Sequence, residues 1–66
     1  MTIVVNGEPH AADTGVRVDA VVAELGAMGA GTAVAVNGEV VPRSAWGRHE
    51  LTDGDRVEVL RAVSGG

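Results

Sequence analysis

The pattern of hydrophobic and polar positions at the start of the chain predicts a β-hairpin. Residues 2–5 are rich in β-branched side chains, which favour a strand. Asn6-Gly7 follows, and this pair suits the two positive-φ positions of a tight type I′ turn. Residues 8–12 form the predicted return strand. We expect it at the sheet edge, because Pro9 has no backbone N–H to donate.

A short helix is predicted after the turn residues 13–15. Apolar residues then recur at i, i+3, i+4 and i+7, the spacing of one helix face: Val18, Val21, Val22 and Leu25. Gly26 is suited to end the helix in a left-handed conformation. Arg17 occupies the expected N-cap position, where it is a poor cap. A valine-rich helix of this length is unstable alone, so we expect it to pack on a sheet.

A second hairpin is predicted in the middle of the chain. Residues 32–36 and 39–41 are strand-like and are joined by Asn37-Gly38, the same pair as in the first turn. The glycine-rich residues 27–31 connect the helix to this hairpin, and Pro42 ends its second arm.

A last strand is predicted at residues 56–60, after a turn at residues 53–55. Residues 44–50 have no period, which predicts a loop or a single helical turn. In the last strand, Val57 and Val59 share one face, which we assign to the core, and Leu60 points the other way. An outward Leu60 is an exposed apolar position, and such positions can mark docking surfaces.

These elements predict an α+β fold, with a mixed sheet of four to five strands packed on one short helix. The helix is expected to act as a crossover that brings later strands beside the first. Sixty-six residues allow one small domain, and 45% hydrophobic residues, nearly all Val, Ala and Leu, indicate a lightly built, β-rich core. Residues 1–61 are the predicted domain, and residues 62–66 are a predicted flexible tail.

Charge and residue usage exclude several classes of function. The net charge of −4 and the single aromatic residue argue against nucleic-acid binding and favour partners with a basic docking surface. The N-terminus resembles no signal peptide, and no apolar run approaches membrane-spanning length, so we expect a cytoplasmic protein. The absence of cysteine leaves no disulfide and no thiolate metal site.

The remaining candidate side chains do not form a catalytic set. His10 and His49 lie on different predicted elements with no metal-ligand spacing. Asp53 and Asp55 are explained by their turn better than by a metal. For Trp46 we favour core packing over a role as a partner anchor. With no nucleophile, base and orienting group together, we expect no enzyme and no stably bound cofactor or metal.

Ordered sequence features carry a family resemblance over essentially the whole chain. They are Ile3 with Asn6-Gly7-Glu8, residues 34–43 with Trp46, Leu51 with residues 53–58, and the terminal Gly65-Gly66. In this order they resemble the ThiS family, the ubiquitin-like sulfur carriers of thiamine biosynthesis, which have the β-grasp fold. Arg17 departs from the pattern, since family members often have Thr there.

The resemblance implies a function for the tail. It implies that an adenylating activating enzyme, an E1-like partner of the ThiF or MoeB type, uses ATP and magnesium to adenylate the Gly66 carboxylate. Sulfur from a donor such as a cysteine desulfurase or rhodanese-type protein then gives a thiocarboxylate, which a thiazole synthase of the ThiG type receives. Gly65 would let the backbone enter a narrow channel. Ser64 and Val63 are expected spacers and channel contacts, and Leu60 is expected to contact the partner.

Two alternatives remain open at this point. The first is a carrier with the same C-terminal chemistry and another recipient, either of the MoaD type, the small subunit of molybdopterin synthase, or for cysteine synthesis. The second is a non-catalytic β-grasp interaction module in which Gly65-Gly66 has no chemical role.

Overall fold

The computed structural model describes residues 1–61, and the predicted tail at residues 62–66 lies outside them. Five strands and one α-helix follow each other along the described chain. They are β1 (Thr2–Val5), β2 (Glu8–Ala11), α1 (Val18–Glu24), β3 (Thr32–Val36), β4 (Glu39–Val41) and β5 (Arg56–Arg61). A short 3-10 helix, Arg43–Ala45, lies between β4 and β5, where a loop or single helical turn was predicted. The boundaries differ slightly from prediction, since β2 ends one residue earlier and β5 extends one residue further.

The strands form one mixed sheet in the order β2-β1-β5-β3-β4. The β1–β2 and β3–β4 pairs are the two predicted hairpins, and Pro9 lies on an edge strand as expected. Strand β5 inserts between them, parallel to β1 and antiparallel to β3. The predicted crossover is therefore confirmed, because the chain passes through α1 before later strands return beside β1.

Both Asn-Gly turns adopt the predicted left-handed conformation. Asn6 and Asn37 each have φ of 50°, and Gly7 and Gly38 have φ of 83° and 84°. A non-glycine residue rarely adopts positive φ, and asparagine is among the side chains that tolerate it best. The turn chemistry read from the sequence therefore explains both hairpins.

The core lies between α1 and the inner face of the sheet. Its fully buried side chains are mostly β-branched: Ile3, Val18, Val21, Val22, Val34 and Val57. Trp46 is 2% exposed and its indole Nε1 donates to the Val41 carbonyl at 2.9 Å, so the packing role predicted for it is confirmed. In a core without Phe or Tyr, this one indole supplies the largest side chain.

The start of α1 is capped by a distant loop and not by its own N-cap residue. Arg17 makes no side-chain cap hydrogen bond, as its residue type predicted. Instead, Val18 N–H donates to the His49 carbonyl at 3.0 Å, and Asp19 N–H donates to the Trp46 carbonyl at 3.2 Å. The free N–H groups of the first turn are thus satisfied by backbone from residues 46–49.

Candidate functional site

The outer face of the sheet carries an apolar strip that ends at Leu60, one residue before the end of β5. Leu60, 64% exposed, lies opposite Ala33 on the neighbouring strand, and Ala35 lies opposite Val40, which is 76% exposed. Paired residues and residues two apart in a strand share one face, so these four side chains form a continuous outer strip. The outward orientation predicted for Leu60 is confirmed.

Charged residues of β5 border this outer strip. Glu58 lies opposite Ala35 and is exposed, while Val57 and Val59 point into the core with 1% and 8% exposure. The assignment of the two valines to the core is therefore confirmed. The outer strip thus combines apolar surface with a neighbouring carboxylate, which suits a partner surface of mixed apolar and basic character.

Arg61 connects the end of β5 to the end of α1. Its guanidinium Nη2 donates to the Leu25 carbonyl at 3.0 Å and to the Gly26 carbonyl at 2.8 Å. These carbonyls belong to the C-terminal end of the helix, where the dipole is negative and a cation is favourable. Helix α1 has no basic residue in its own last turn, so Arg61 supplies this charge from 35 residues away.

Asn6 connects the first hairpin turn to the same end of β5. Its side-chain oxygen accepts from Val59 N–H at 2.8 Å, and its amide nitrogen donates to the Val59 carbonyl at 3.3 Å. The backbone N–H of Asn6 already donates to the Val57 carbonyl, continuing the parallel ladder. The side-chain amide therefore replaces the next backbone partner, which β1 cannot supply because the chain has entered its turn.

The opposite end of β5 is held by Asn37 and by the turn before the strand. Asn37 accepts from Arg56 N–H at 3.0 Å and donates to Asp55 at 3.0 Å. Partial burial alone would raise the pKa of Asp55. Hydrogen bonds from Thr52 N–H, Asn37 and the Thr52 hydroxyl, with the nearby His49, outweigh it and hold this pKa below its usual value.

Asp53 and His10 each lie against another element of the fold. Asp53 accepts from Thr2 N–H at 2.8 Å, so its side chain joins the turn before β5 to the start of β1. His10 Nε2 lies 3.4 Å from a carboxylate oxygen of Glu24 on α1. Within residues 1–61, no three His, Cys, Asp or Glu side chains are grouped closely enough to hold a metal ion.

Arg43 holds the glycine-rich loop that follows α1. Its guanidinium donates to the Gly29 carbonyl at 3.1 Å and to the Met28 carbonyl, and it lies over the Trp46 ring at 4.9 Å from the ring centre. Thr32 adds a hydrogen bond of 2.6 Å to the Ala27 carbonyl. The first three residues of this loop are therefore each held by a side-chain hydrogen bond.

The structure adds two residues to the site that sequence reasoning missed and leaves four predicted ones undescribed. Val63, Ser64, Gly65 and Gly66 lie outside residues 1–61, so their roles remain predictions. Asn6 had been assigned only a turn role, and Arg61 had been given none. The available signal for Arg61 was its place two residues after Val59, which puts it on the inner face beyond the end of the helix.

The fold and the site together define a small β-grasp domain whose last strand leads directly into a Gly-Gly tail sequence. A model of the ThiS family matches residues 3–66. The chain is 32% identical to the sulfur carrier protein ThiS of Escherichia coli, with full coverage of both. The thiamine biosynthesis protein ThiS of Geobacter metallireducens, solved as a crystal structure, superposes with a TM-score of 0.82 at 35% identity, again covering both chains fully. This chain belongs to the ThiS family, which confirms the resemblance.

Two further relatives are larger proteins. The chain is 35% identical to a thiazole synthase of Paramagnetospirillum magneticum and 36% identical to one of Magnetococcus marinus. It spans 20% of the length of each. Among residues 1–61, no helix is long and apolar enough to cross a membrane.

Proposed function

We propose that this chain is a sulfur carrier of thiamine biosynthesis and that the Gly66 carboxylate is the group that carries the sulfur. The observation that supports this most strongly is the match of residues 3–66 to the ThiS family, which includes the two terminal glycines. The chain acts as a protein cosubstrate and not as a catalyst. Gly65 and Gly66 let the chain end pass through a channel too narrow for side chains.

The proposed chemistry has three steps. A free carboxylate is a poor electrophile, so it must be activated before sulfur can be added. The Gly66 carboxylate therefore attacks ATP, forming an acyl adenylate and releasing pyrophosphate. A persulfide derived from cysteine attacks the acyl carbon and displaces AMP, giving an acyl disulfide. A thiol then cleaves the S–S bond, which leaves the thiocarboxylate and a new disulfide. Since the chain has no cysteine, the sulfur has no side-chain site on the carrier.

The activating partner is an adenylating enzyme of the ThiF or MoeB type, which supplies the ATP and magnesium site. We assign the outer strip, with Leu60 at its tail end, as the surface that this enzyme contacts. Burial of an exposed leucine contributes about 1.5–3 kcal/mol to such a contact. The carrier's net charge of −4 favours a basic docking surface on the enzyme.

The proposed recipient of the sulfur is a thiazole synthase of the ThiG type. Two thiazole synthases each contain a segment similar to this chain over a fifth of their length. A carrier and an enzyme joined in one polypeptide have a raised effective concentration for each other, which favours such a fusion when the two act in succession. This observation favours thiazole formation over the MoaD-type and cysteine-synthesis alternatives.

Intact-mass analysis tests the carrier function. The purified chain is incubated with a ThiF-type enzyme, ATP, magnesium and a persulfide-forming cysteine desulfurase. The expected product has the mass of the chain with one oxygen replaced by sulfur, and deletion of Gly66 abolishes it. An unchanged mass, under conditions that convert the Escherichia coli carrier, would show that the chain is an interaction module. Thiazole formation from the charged chain, added to a thiazole synthase, then distinguishes the recipients.

A further inference from the structure

The last two residues of β5 place an apolar side chain on the outer face of the sheet and a cationic side chain on the inner face. Leu60 points outward into the outer strip, whereas Arg61 continues the inward register of Val57 and Val59. At this level the helix has ended, so an inward side chain meets the α1 carbonyls and not the apolar core. A cation with a planar set of N–H donors fits that position, and Arg61 donates to two carbonyls there.

This contact lies one residue before residues 62–66. The guanidinium is exposed and joins Arg61 to Leu25 and Gly26, while Asn6 holds Val59 two residues earlier. Together the two contacts fix the backbone direction at the end of β5 against both the helix and the first hairpin. Without the Arg61 side-chain contact, residue 61 would be held only by its backbone pairing with Thr32 on β3, and the nearest side-chain bond to β5 would be that of Asn6 to Val59.

We propose that Arg61 is a positioning residue for adenylation: by bonding to the end of α1, it sets the point and direction from which residues 62–66 leave the domain. This inference rests on the proposed sulfur-carrier function. A carrier docked through its outer strip must still place its chain end in the enzyme's channel. The fraction of docked carriers that do so depends on where the tail starts.

The inference separates the effects of two adjacent residues. Leu60 contributes to docking, so its loss raises KM. Arg61 acts after docking, so its loss lowers the productive fraction of the docked complex and therefore kcat. We expect Arg61→Met to lower kcat for ATP–pyrophosphate exchange about fivefold, with KM changed less than about twofold. Arg61→Lys, which keeps the charge on a side chain without the guanidinium, is expected to lie between wild type and Arg61→Met.

The experiment measures steady-state pyrophosphate exchange by a ThiF-type enzyme as the concentration of each full-length variant is raised. Arg48→Met serves as the control, since it removes the same charge from the exposed loop after the 3-10 helix. Thermal unfolding and ¹⁵N relaxation of the residue 61 amide are measured on the same samples. Arg61→Met, and not Arg48→Met, is expected to increase picosecond-to-nanosecond motion at residue 61.

Each outcome decides one question. A lower melting temperature of Arg61→Met with wild-type kcat would reduce Arg61 to a helix cap and overturn the inference. Equal relaxation at residue 61 in wild type and Arg61→Met would overturn it as well. Failure of the wild-type chain to be adenylated, with the relaxation difference present, would count against the sulfur-carrier function and not against the anchoring by Arg61.

Discussion

The side-chain amide of Asn6 hydrogen-bonds to both backbone polar groups of Val59, 53 residues away in the chain. It stands in for a strand residue that the β1–β2 turn removes from the ladder. The residue therefore has two roles: its backbone accepts a φ of 50° in the turn, and its side chain pairs with the central strand.

Asn6→Gly separates these two roles, because glycine keeps the positive φ and removes only the amide. We expect a loss of about 1–2 kcal/mol in the free energy of unfolding, since two partly buried hydrogen bonds disappear. For a domain of this size that lowers Tm by roughly 4–8 °C per kcal/mol. Urea denaturation, followed by the fluorescence of Trp46, measures it. The matched variant Asn37→Gly removes hydrogen bonds that are exposed to solvent, so it is expected to lower the free energy of unfolding by less. An equal or larger loss in Asn37→Gly would contradict the special role of Asn6.

Leu60→Glu tests the outer strip. We expect KM for the activating enzyme to rise at least about tenfold, because the change removes about 1.5–3 kcal/mol of apolar contact and adds a charge. The melting temperature should change little, since Leu60 is 64% exposed. Leu60→Met, which keeps an apolar side chain, is the control and should behave as wild type. A large fall in melting temperature for Leu60→Glu would mean that the side chain stabilises the fold.

Asp55→Asn tests the pH dependence of stability. Partial burial acts to raise the pKa of Asp55, but the hydrogen bonds from Thr52 and Asn37 outweigh it and lower this pKa in the folded chain, so the charged form is favoured by folding. Its contribution to stability is fully present above the unfolded-state pKa and is lost as pH falls through the folded pKa. Wild type should therefore lose more stability between pH 6 and pH 3 than Asp55→Asn. Identical pH profiles for wild type and Asp55→Asn would exclude the effect.

Arg17→Thr tests the capping of α1. A threonine at an uncapped helix start typically adds about 1 kcal/mol. Here the carbonyls of Trp46 and His49 already accept from the first-turn N–H groups, and Ala20 N–H donates to the Arg17 carbonyl. We therefore expect a gain below about 0.5 kcal/mol in chemical denaturation. A full gain of a typical cap would show that the loop carbonyls do not satisfy the helix start in solution.

Local sequence patterns were sufficient for the elements of this fold. Alternation and turn chemistry predicted both hairpins, and helical spacing predicted the apolar face of α1, where Val18, Val21 and Val22 are buried. The same alternation gave the inward valines and outward Leu60 of β5. Each of these features depends on residues within a few positions of one another, so a single sequence contains the information.

Contacts between distant segments were beyond the reach of these patterns. The caps on α1 come from backbone carbonyls of residues 46–49, and any residue type supplies a carbonyl, so no signal marks them. From the sequence, Asn6 is fully explained as a turn residue and Arg61 as an exposed cation at the end of a strand. Their second partners, Val59 and the end of α1, become visible only once the sheet order is known.

The central position of β5 has a consequence for how the chain folds. The two hairpins share no strand pairing with each other in the described sheet, since β5 separates β1 from β3. Each hairpin can form from local contacts, but joining them requires a pairing of β1 with β5 across about fifty residues, a slow, non-local step. During synthesis, β1 and β3 therefore remain open edges that can pair wrongly until β5 is made. The strand that leads to the proposed sulfur-carrying end is also the one that completes the sheet.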